Sequence, residues 1–320
     1  MSEGYQRRDA EIVDYELWRA SPEGDALRGP APRDLAPGSY FVCLGAAQTF
    51  GCFVAKPWPA LLADRLGMPA LNLGVAGAGP RLFLAPQWRA LIDGAAFAIV
   101  QVMSGRSADC SLFASGGRER LTRRDDGRRL GADAAWSELL SADLAGIRSP
   151  LLRGIANRGR AWFGRKVLRR LVAETQASWT ADCAGLLDAI ATPKLLLWFS
   201  RRRPRHRPRF HSLRALFGEY PQLVDERMLA AVARHADGLV ACVGARGSPQ
   251  LLRSRLTGEP AVVRPADAGT GEDPSQVWTH NAYYPSPEMH EDAAAVLFEP
   301  CLAIRSRAAA RDRSRSRTSG

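Results

Sequence analysis

The segment FVCLGAAQTFGCF, residues 41–53, joins a short apolar run to a turn that is rich in small residues. Four other apolar runs occur along the chain, and each of the five is followed by Gly or Ser. An unbroken apolar run of this length predicts a strand that is buried on both faces, as in a parallel sheet. The five predicted strands are residues 40–44, 70–73, 97–103, 195–199 and 239–243.

Helical patterns separate most of these predicted strands. Apolar residues recur at helical spacing in residues 59–66, 82–92, 167–190 and 222–236. Strands that alternate with helices predict an α/β fold, here a three-layer α/β/α sandwich of flavodoxin-like type with a mostly parallel sheet of about five strands. In such a sheet the functional loops follow the carboxyl ends of the strands.

Three segments lie outside this alternation. Residues 1–37 are interpreted as an N-terminal extension that ends in a Pro/Gly-rich connector, and residues 38–305 as the α/β domain. Within that domain, residues 114–165 are predicted to form an insertion between the third strand and its helix. Residues 306–320 are rich in Arg and Ser and low in complexity, so we expect a disordered tail.

The net charge of +11 comes from two short segments. Residues 201–209 contain six Arg and no acidic residue, and residues 305–320 contain six Arg and one Asp. Because the rest of the chain is neutral as a set, nucleic-acid binding is not expected, and the tail is expected to make only weak contacts with polyanions. We interpret residues 201–209 as a solvated, flexible loop, with binding of phosphate or sulfate groups as the alternative.

Other features bound the functional class. No apolar run is long enough to cross a membrane, and the N-terminus lacks the apolar centre of a signal peptide, which predicts a cytoplasmic protein. The six cysteines occur singly without a CxxC pair, so we expect buried free thiols and no metal site. The glycine-rich turns match neither GxGxxG nor a P-loop, and we expect no cofactor.

Small and polar residues follow the first three predicted strands. Since the carboxyl ends of parallel strands meet at one edge of a sheet, these residues are predicted to share a site. Near the C-terminus, His290 opens a predicted helix after a Pro-containing loop that includes Tyr284, and we place both in the same site. The candidates after the strands are Gly45, Thr49, Gly74, Gly77, Ser104, Arg106 and Ser107.

The order of these parts resembles the SGNH/GDSL hydrolase family. In that family a GDSxTxG motif follows the first strand, and the catalytic histidine lies in a DxxH motif before the last helix. Here GAAQTFG matches at Gly45, Thr49 and Gly51, NLGVAGAGP resembles the second block, and SPEMHEDAA puts His290 at the position of the catalytic histidine. The segments GAAQTFG and YYPSPEMH also resemble an uncharacterised bacterial domain family.

The chain departs from the hydrolase pattern at the reacting groups. Ala47 stands at the position of the nucleophilic Ser, and Pro287 at that of the triad Asp. A Ser-His-Asp hydrolase needs a hydroxyl and a base that deprotonates it, and Ala has no hydroxyl. The resemblance therefore implies a diverged SGNH-hydrolase-like protein that acts on or binds an acylated or carbohydrate-type substrate.

Three functional readings remain open at this point. In the first, a relocated hydroxyl such as that of Ser104 is the nucleophile, His290 is the base, and Arg106 binds an anionic group. In the second, His290 is the general base of a group transferase. In the third, the domain is a non-catalytic binder of a small-molecule or carbohydrate-type ligand that the loop around Ala47 helps to line. Polyanion binding through the Arg-rich segments is an option from another class.

Overall fold

A computed structural model describes residues 2–30, 35–142, 153–263 and 277–318. Its centre is a five-stranded sheet in which every neighbouring pair is parallel, in the order β2-β1-β3-β4-β5. This is the strand order of flavodoxin-like folds, and it confirms the predicted fold class. The strands are β1 (Phe41–Gly45), β2 (Ala70–Gly74), β3 (Ala98–Gln101), β4 (Lys194–Ser200) and β5 (Gly238–Val243).

Helices cover both faces of the sheet because strand side chains alternate between the faces. Val42 of β1 belongs to one apolar core together with Trp179 and Val232. Phe41, one residue earlier, belongs to a second core together with Leu297. Two helices lie on each side, and the result is a three-layer sandwich. The helices are α1 (Trp58–Leu66), α2 (Arg153–Ala189), α3 (Glu226–Ala233) and α4 (Pro287–Thr318), with α2 and α3 on the Val42 face.

The predicted helix over residues 82–92 is broken in the structure. It consists of two 3-10 helices, Pro80–Leu84 and Pro86–Trp88, and a short α-helix, Arg89–Asp93. Pro86 explains the interruption, because proline has no N–H to donate and its ring clashes with the preceding turn.

Residues between β3 and α2 build a small layer of their own. Three short strands form an antiparallel sheet, and a helix follows them. Residues 143–152 of the predicted insertion lie outside the described residues, and residues 153–165 belong to α2. The elements are the strands Phe113–Ala114, Arg120–Arg123 and Arg129–Gly131 and the helix Ala132–Ala142.

The chain outside the sheet adds short elements. α4 continues to Thr318, where the sequence predicted a disordered tail from residue 306, and the alanines of this segment are strong helix formers. The six cysteines are free and buried, as predicted. Among the described residues, no helix is long and apolar enough to span a membrane. The remaining elements are helices Ser2–Asp9, Ala47–Phe50 and Leu213–Phe217, the 3-10 helix Gly105–Ser107, and strands Trp18–Arg19, Ala26–Leu27, Gln250–Leu251 and His280–Asn281.

Candidate functional site

The loops after β1 and β3 separate at the point where the strand order reverses, which is the usual ligand position in such sheets. In this protein the side chain of Gln101 lies at that position. Its Oε1 accepts hydrogen bonds from the Thr49 hydroxyl (2.5 Å) and from the Ala46 N–H (3.3 Å). Gly45 has no space for a Cβ beside Thr49 and Gln101. Gly45 and Thr49 therefore pack the turn against the sheet.

The second glycine loop is held against the first. The Asn72 amide donates to the Thr49 carbonyl and accepts from the Gly74 N–H, both at 2.9 Å. A Cβ on Gly74 would collide with the backbone of Phe50, and Gly77 has a positive φ of 67°. Close backbone approach and turn conformation thus account for these two glycines.

The hydroxyls that follow β3 have local partners. Ser104 Oγ accepts from the Arg106 N–H (3.1 Å) and caps the 3-10 helix Gly105–Ser107. Ser107 donates its hydroxyl to the Ser104 carbonyl (2.7 Å). Both side chains are buried. This arrangement is that of a capped turn, and it offers no base beside either hydroxyl.

His290 lies in the core between α4, α1 and β4. Its Nδ1 accepts from the Trp58 N–H (3.0 Å), so the proton of the neutral ring resides on Nε2, which is buried without a partner among the described residues. The ring meets Phe199 edge-on at 5.4 Å between centroids. Burial, and secondarily the charge of Arg28, lowers the pKa of His290 to about 3. At neutral pH the ring therefore stays uncharged, and its pKa is poorly matched to the role of a general base.

The two predicted catalytic residues are not joined. No hydrogen bond links Ser104 to His290 in the part of the chain that the structure describes, and each has other partners. The relocated nucleophile needs a hydroxyl within hydrogen-bond reach of a usable base. The geometry around Ser104 and His290 does not supply that pair.

Arg106 is tied to carboxylates of the inserted layer. Its guanidinium pairs with Glu119 (2.8 Å) and Asp133 (2.6 Å), and its Nη2 lies 3.4 Å from the Tyr283 hydroxyl. The Arg106 side chain is buried. Burial acts to lower the pKa of Arg106, but Glu119, Tyr283 and Asp133 raise it above its ordinary value. We expected Arg106 to bind an anionic group, whereas the structure gives it protein partners and a position beside Tyr283.

A cavity of about 440 Å³, here named the rim cleft, opens at the carboxyl end of β4. Its walls come from the turn after β1, the loop after β4 and the loop before α4. Gln48 and Gln222 in its wall are both buried, and the Oε1 of each lacks a hydrogen-bond partner among the described residues. Buried unpaired amide oxygens are rare and usually mark bound water or a functional site. The polar lining residues are Gln48, Ser200, Arg201, Arg214, Glu219, Tyr220, Gln222 and Tyr283.

Arg201 brings a cation to the rim cleft. Its Nη1 donates to the Ala282 carbonyl (2.7 Å) and lies 3.4 Å from Ser248 Oγ. Its Nε is 3.9 Å from Glu219 Oε2. Nη2 has no hydrogen-bond partner in the described parts of the chain, so Arg201 retains donors for a ligand.

None of the predicted site residues lines the rim cleft, although some of them are sequence neighbours of residues that do. Tyr284, the predicted binding residue, packs on Phe53 (5.9 Å between centroids), and its neighbour Tyr283 lines the cleft. Arg201 begins the Arg-rich segment 201–209, for which anion binding is the alternative interpretation. Gln222 follows no strand and carries no such signal.

The described residues do not form a metal-binding cluster. Within the described ranges, no group of three or more His, Cys, Asp or Glu side chains is arranged to hold a metal ion.

Several solved structures resemble the chain at low identity. A candidate SGNH hydrolase from Slackia heliotrinireducens is 14% identical, with a TM-score of 0.37 over 82% of this chain and 98% of that one. A carbohydrate esterase family 2 enzyme with a carbohydrate-binding domain from Corynascus thermopiles (Myceliophthora fergusii) is 11% identical, with a TM-score of 0.34 over 88% and 70%. An extracellular lipase from Streptomyces rimosus is 14% identical, with a TM-score of 0.36 over 81% and 98%.

Sequence comparison identifies the family more directly. No curated protein matches the chain. The family model described as "Domain of unknown function (DUF6473)" matches residues 3–118 and 161–269. The described residues between these two ranges, 119–142 and 153–160, lie in the small inserted layer and at the start of α2. Because the match extends over more than half of the sequence, the chain belongs to the DUF6473 family.

Proposed function

We propose that the protein binds a carbohydrate-type small molecule in the rim cleft, without Ser–His hydrolysis. The observation that carries this proposal is Tyr283, a residue that is 49% exposed in a cleft lined by amide and charged side chains together with Phe199 and Tyr220. Sugars present apolar ring faces and a perimeter of hydroxyls, which suits an aromatic ring surrounded by hydrogen-bonding groups. The cavity of about 440 Å³ lies in the range of small-molecule sites.

The hydroxyl oxygen of Tyr283 accepts two hydrogen bonds. Gln222 Nε2 (3.1 Å) and Arg106 (3.4 Å) both direct N–H groups at its hydroxyl oxygen. Burial of the hydroxyl raises the pKa of Tyr283, so the phenol is protonated at neutral pH. Its own proton is therefore available to an acceptor on the ligand.

The chemistry of the lining favours binding over catalysis. The described residues that line the rim cleft include no histidine, and their serine, Ser200, donates its hydroxyl to the Tyr220 carbonyl (2.6 Å). Ser200 Oγ also accepts from the Arg202 N–H (3.0 Å). A serine committed in this way, without a base, is not an activated nucleophile.

Titration with methyl glucoside, N-acetylglucosamine and galacturonate, followed by ligand-detected NMR and calorimetry, tests the proposal. We expect at least one sugar to bind, and Tyr283→Ala to weaken that binding by about fivefold or more, since a stacked ring contributes about 1 kcal/mol or more. Gln87→Leu, at an exposed site outside the cleft, should leave affinity unchanged. Binding that is indifferent to Tyr283→Ala would contradict the assignment.

An ester hydrolysis assay tests the proposal that the protein does not use Ser–His catalysis. With 4-nitrophenyl acetate we expect the wild-type protein, Ser104→Ala and His290→Gln to show the same background rate. Turnover that disappears in both variants would instead establish a hydrolase with a relocated nucleophile, and the binding proposal would then fail. Circular dichroism spectra of each variant would confirm that loss of a signal does not reflect unfolding.

A further inference from the structure

A second and larger cavity lies beside the rim cleft. Its volume is about 1060 Å³, and its walls come from the loop after β4, the helix Leu213–Phe217 and the start of α3. The two cavities share Arg214 and Gly218 in their walls. We name the larger one the arginine groove after the five arginines that line it: Arg205, Arg207, Arg209, Arg214 and Arg227.

Four of these arginines have no protein partner. Arg207, Arg209, Arg214 and Arg227 form no side-chain hydrogen bond or ion pair with the residues that the structure describes, and Arg205 only approaches Glu226, at 3.8 Å. Some arginines elsewhere, such as Arg81, Arg118 and Arg246, are paired with carboxylates. The groove therefore gathers five guanidinium groups that have donors available for a ligand.

The carboxylates in the groove do not neutralise it. Asp225 uses one oxygen to accept the Met228 N–H (2.9 Å) as the cap of α3. The side chain of Glu226 is 67% exposed and has only the distant contact with Arg205. Five guanidinium groups face two carboxylates, so the field in the groove is positive and favours an anion.

The loop that presents the arginines is anchored, in contrast to the flexible loop expected from its composition. Arg202 at its start donates to the backbone carbonyls of Glu219 (2.8 Å) and Val224 (2.7 Å), and its own carbonyl accepts from the Trp198 indole (2.8 Å). These bonds tie the loop to β4 and to the segment that precedes α3. The arginines that follow are consequently presented from a fixed base.

Further contacts hold the middle of the loop. His206 Nε2 lies 2.8 Å from the Leu216 carbonyl, and the Arg209 N–H donates to the Ala215 carbonyl (2.9 Å). Gly218, with a φ of 70°, lies against the His206 ring where a Cβ would be only 2.7 Å from Nδ1. A site whose donors are fixed before the ligand arrives loses less entropy on binding.

We propose that the arginine groove binds the tetrahedral oxyanion of a phosphate or sulfate ester. Guanidinium groups donate in forks that match the oxygens of these anions, and several such groups in one groove suit the two charges of a phosphate monoester or the single charge of a sulfate ester. The described residues that line the groove include no Phe, Tyr or Trp, the large rings on which the bases of single-stranded nucleic acids stack. The lining therefore favours a small ester over a nucleic acid. The proposal does not depend on the sugar site proposed in the rim cleft, although the two cavities share Arg214 and Gly218.

The test is calorimetric titration of the full chain at constant ionic strength with glucose 6-phosphate, glucose 6-sulfate and unmodified glucose. We expect one or both esters to bind with saturation, and the double variant Arg207→Gln/Arg209→Gln to bind about tenfold or more weakly, because each lost charge-assisted hydrogen bond removes more than about 1 kcal/mol. The difference between the two esters identifies phosphate or sulfate as the preferred group. Unmodified glucose separates this site from sugar binding in the rim cleft.

Arg203→Gln is the matched control, because Arg203 is an exposed arginine of the same loop that does not line the groove. It should leave ester affinity unchanged. Arg203→Gln removes one positive charge, and the double variant removes two. A loss of binding free energy in Arg203→Gln that is half that of the double variant or more would show that only net charge is measured, and would overturn the proposal. Saturable binding of duplex DNA or heparin without binding of either ester would overturn it as well.

Discussion

At the scale of single residues, His290 shows how burial changes a side chain's chemistry. Between pH 3 and 6.5 the folded protein leaves His290 unprotonated, since its pKa is lowered from 6.5 to about 3, chiefly by burial. An unfolded chain takes up a proton there over the same range. The contribution of the neutral His290 ring to the free energy of unfolding is therefore complete above about pH 6.5 and is lost as the pH falls towards 3.

His290→Gln tests this account, because the amide oxygen can still accept the Trp58 N–H but does not titrate. On lowering the pH from 7 to 5, we expect the free energy of unfolding of the wild-type protein to fall by about 2 kcal/mol more than that of the variant. Urea unfolding followed by tryptophan fluorescence measures both. His211→Gln, at an exposed histidine, should keep the wild-type dependence. Equal pH dependence of the wild-type protein and His290→Gln would show that the ring is not held neutral.

At the scale of elements, glycine is required at the end of one strand and is unfavourable inside one helix. Gly74 ends β2 against the backbone of Phe50, where no Cβ fits. Gly185 lies inside α2 with no atom near the position of a Cβ. Glycine costs about 1 kcal/mol relative to alanine in a helix interior, because it loses more backbone freedom on folding.

Substitution by alanine should therefore have opposite effects at these two positions. We expect Gly185→Ala to raise the free energy of unfolding by about 0.5–1 kcal/mol, and Gly74→Ala to lower it by more than about 1 kcal/mol through displacement of the turn. Thermal and urea unfolding of the two variants measure the difference. A destabilised Gly185→Ala would mean that α2 packs more tightly at this point than the structure indicates.

At the scale of the whole molecule, charge is distributed unevenly. Ion pairs such as Arg118–Asp25 (2.7 Å) and Arg246–Asp292 (2.8 Å) balance much of the surface. The net charge of +11 resides in residues 201–209 and in the C-terminal Arg-rich segment. Residues 201–209 lie along the arginine groove, whereas the C-terminal segment is a low-complexity sequence. We therefore expect the first segment to bind small anions and the second to bind polyanions.

Removal of residues 306–320 tests this division. The segment holds five Arg and one Asp, so its loss should weaken binding to duplex DNA and reduce the slope of log K against log salt by about 3–4, given about 0.9 per phosphate contact. Binding of glucose 6-phosphate or glucose 6-sulfate to the arginine groove should be unaffected. Salt-dependent DNA binding that survives the deletion unchanged would place the polyanion site elsewhere on the protein.

The pattern of apolar residues along the chain was sufficient to predict the sheet and its layers. Five apolar runs separated by helical patterns predicted the strands within one or two residues of β1, β2, β4 and β5, and only the end of β3 was placed too late. This succeeds because a strand buried on both faces leaves its signature in neighbouring residues of the chain. The break near Pro86 was readable from the same local chemistry, although the spacing alone suggested one helix.

Which polar residues are available for binding or catalysis depends on the packing of the elements, which the sequence pattern does not reveal. Ser104 and His290 each follow the pattern of a site residue, but one is a helix cap and the other is enclosed by α1, α4 and β4. Tyr283, Gln222 and Arg106 meet across 61 and 177 positions of sequence, and no local pattern records such a contact. Burial and long-range proximity depend on how all the elements pack together, whereas the strands depend on residues beside one another in the chain.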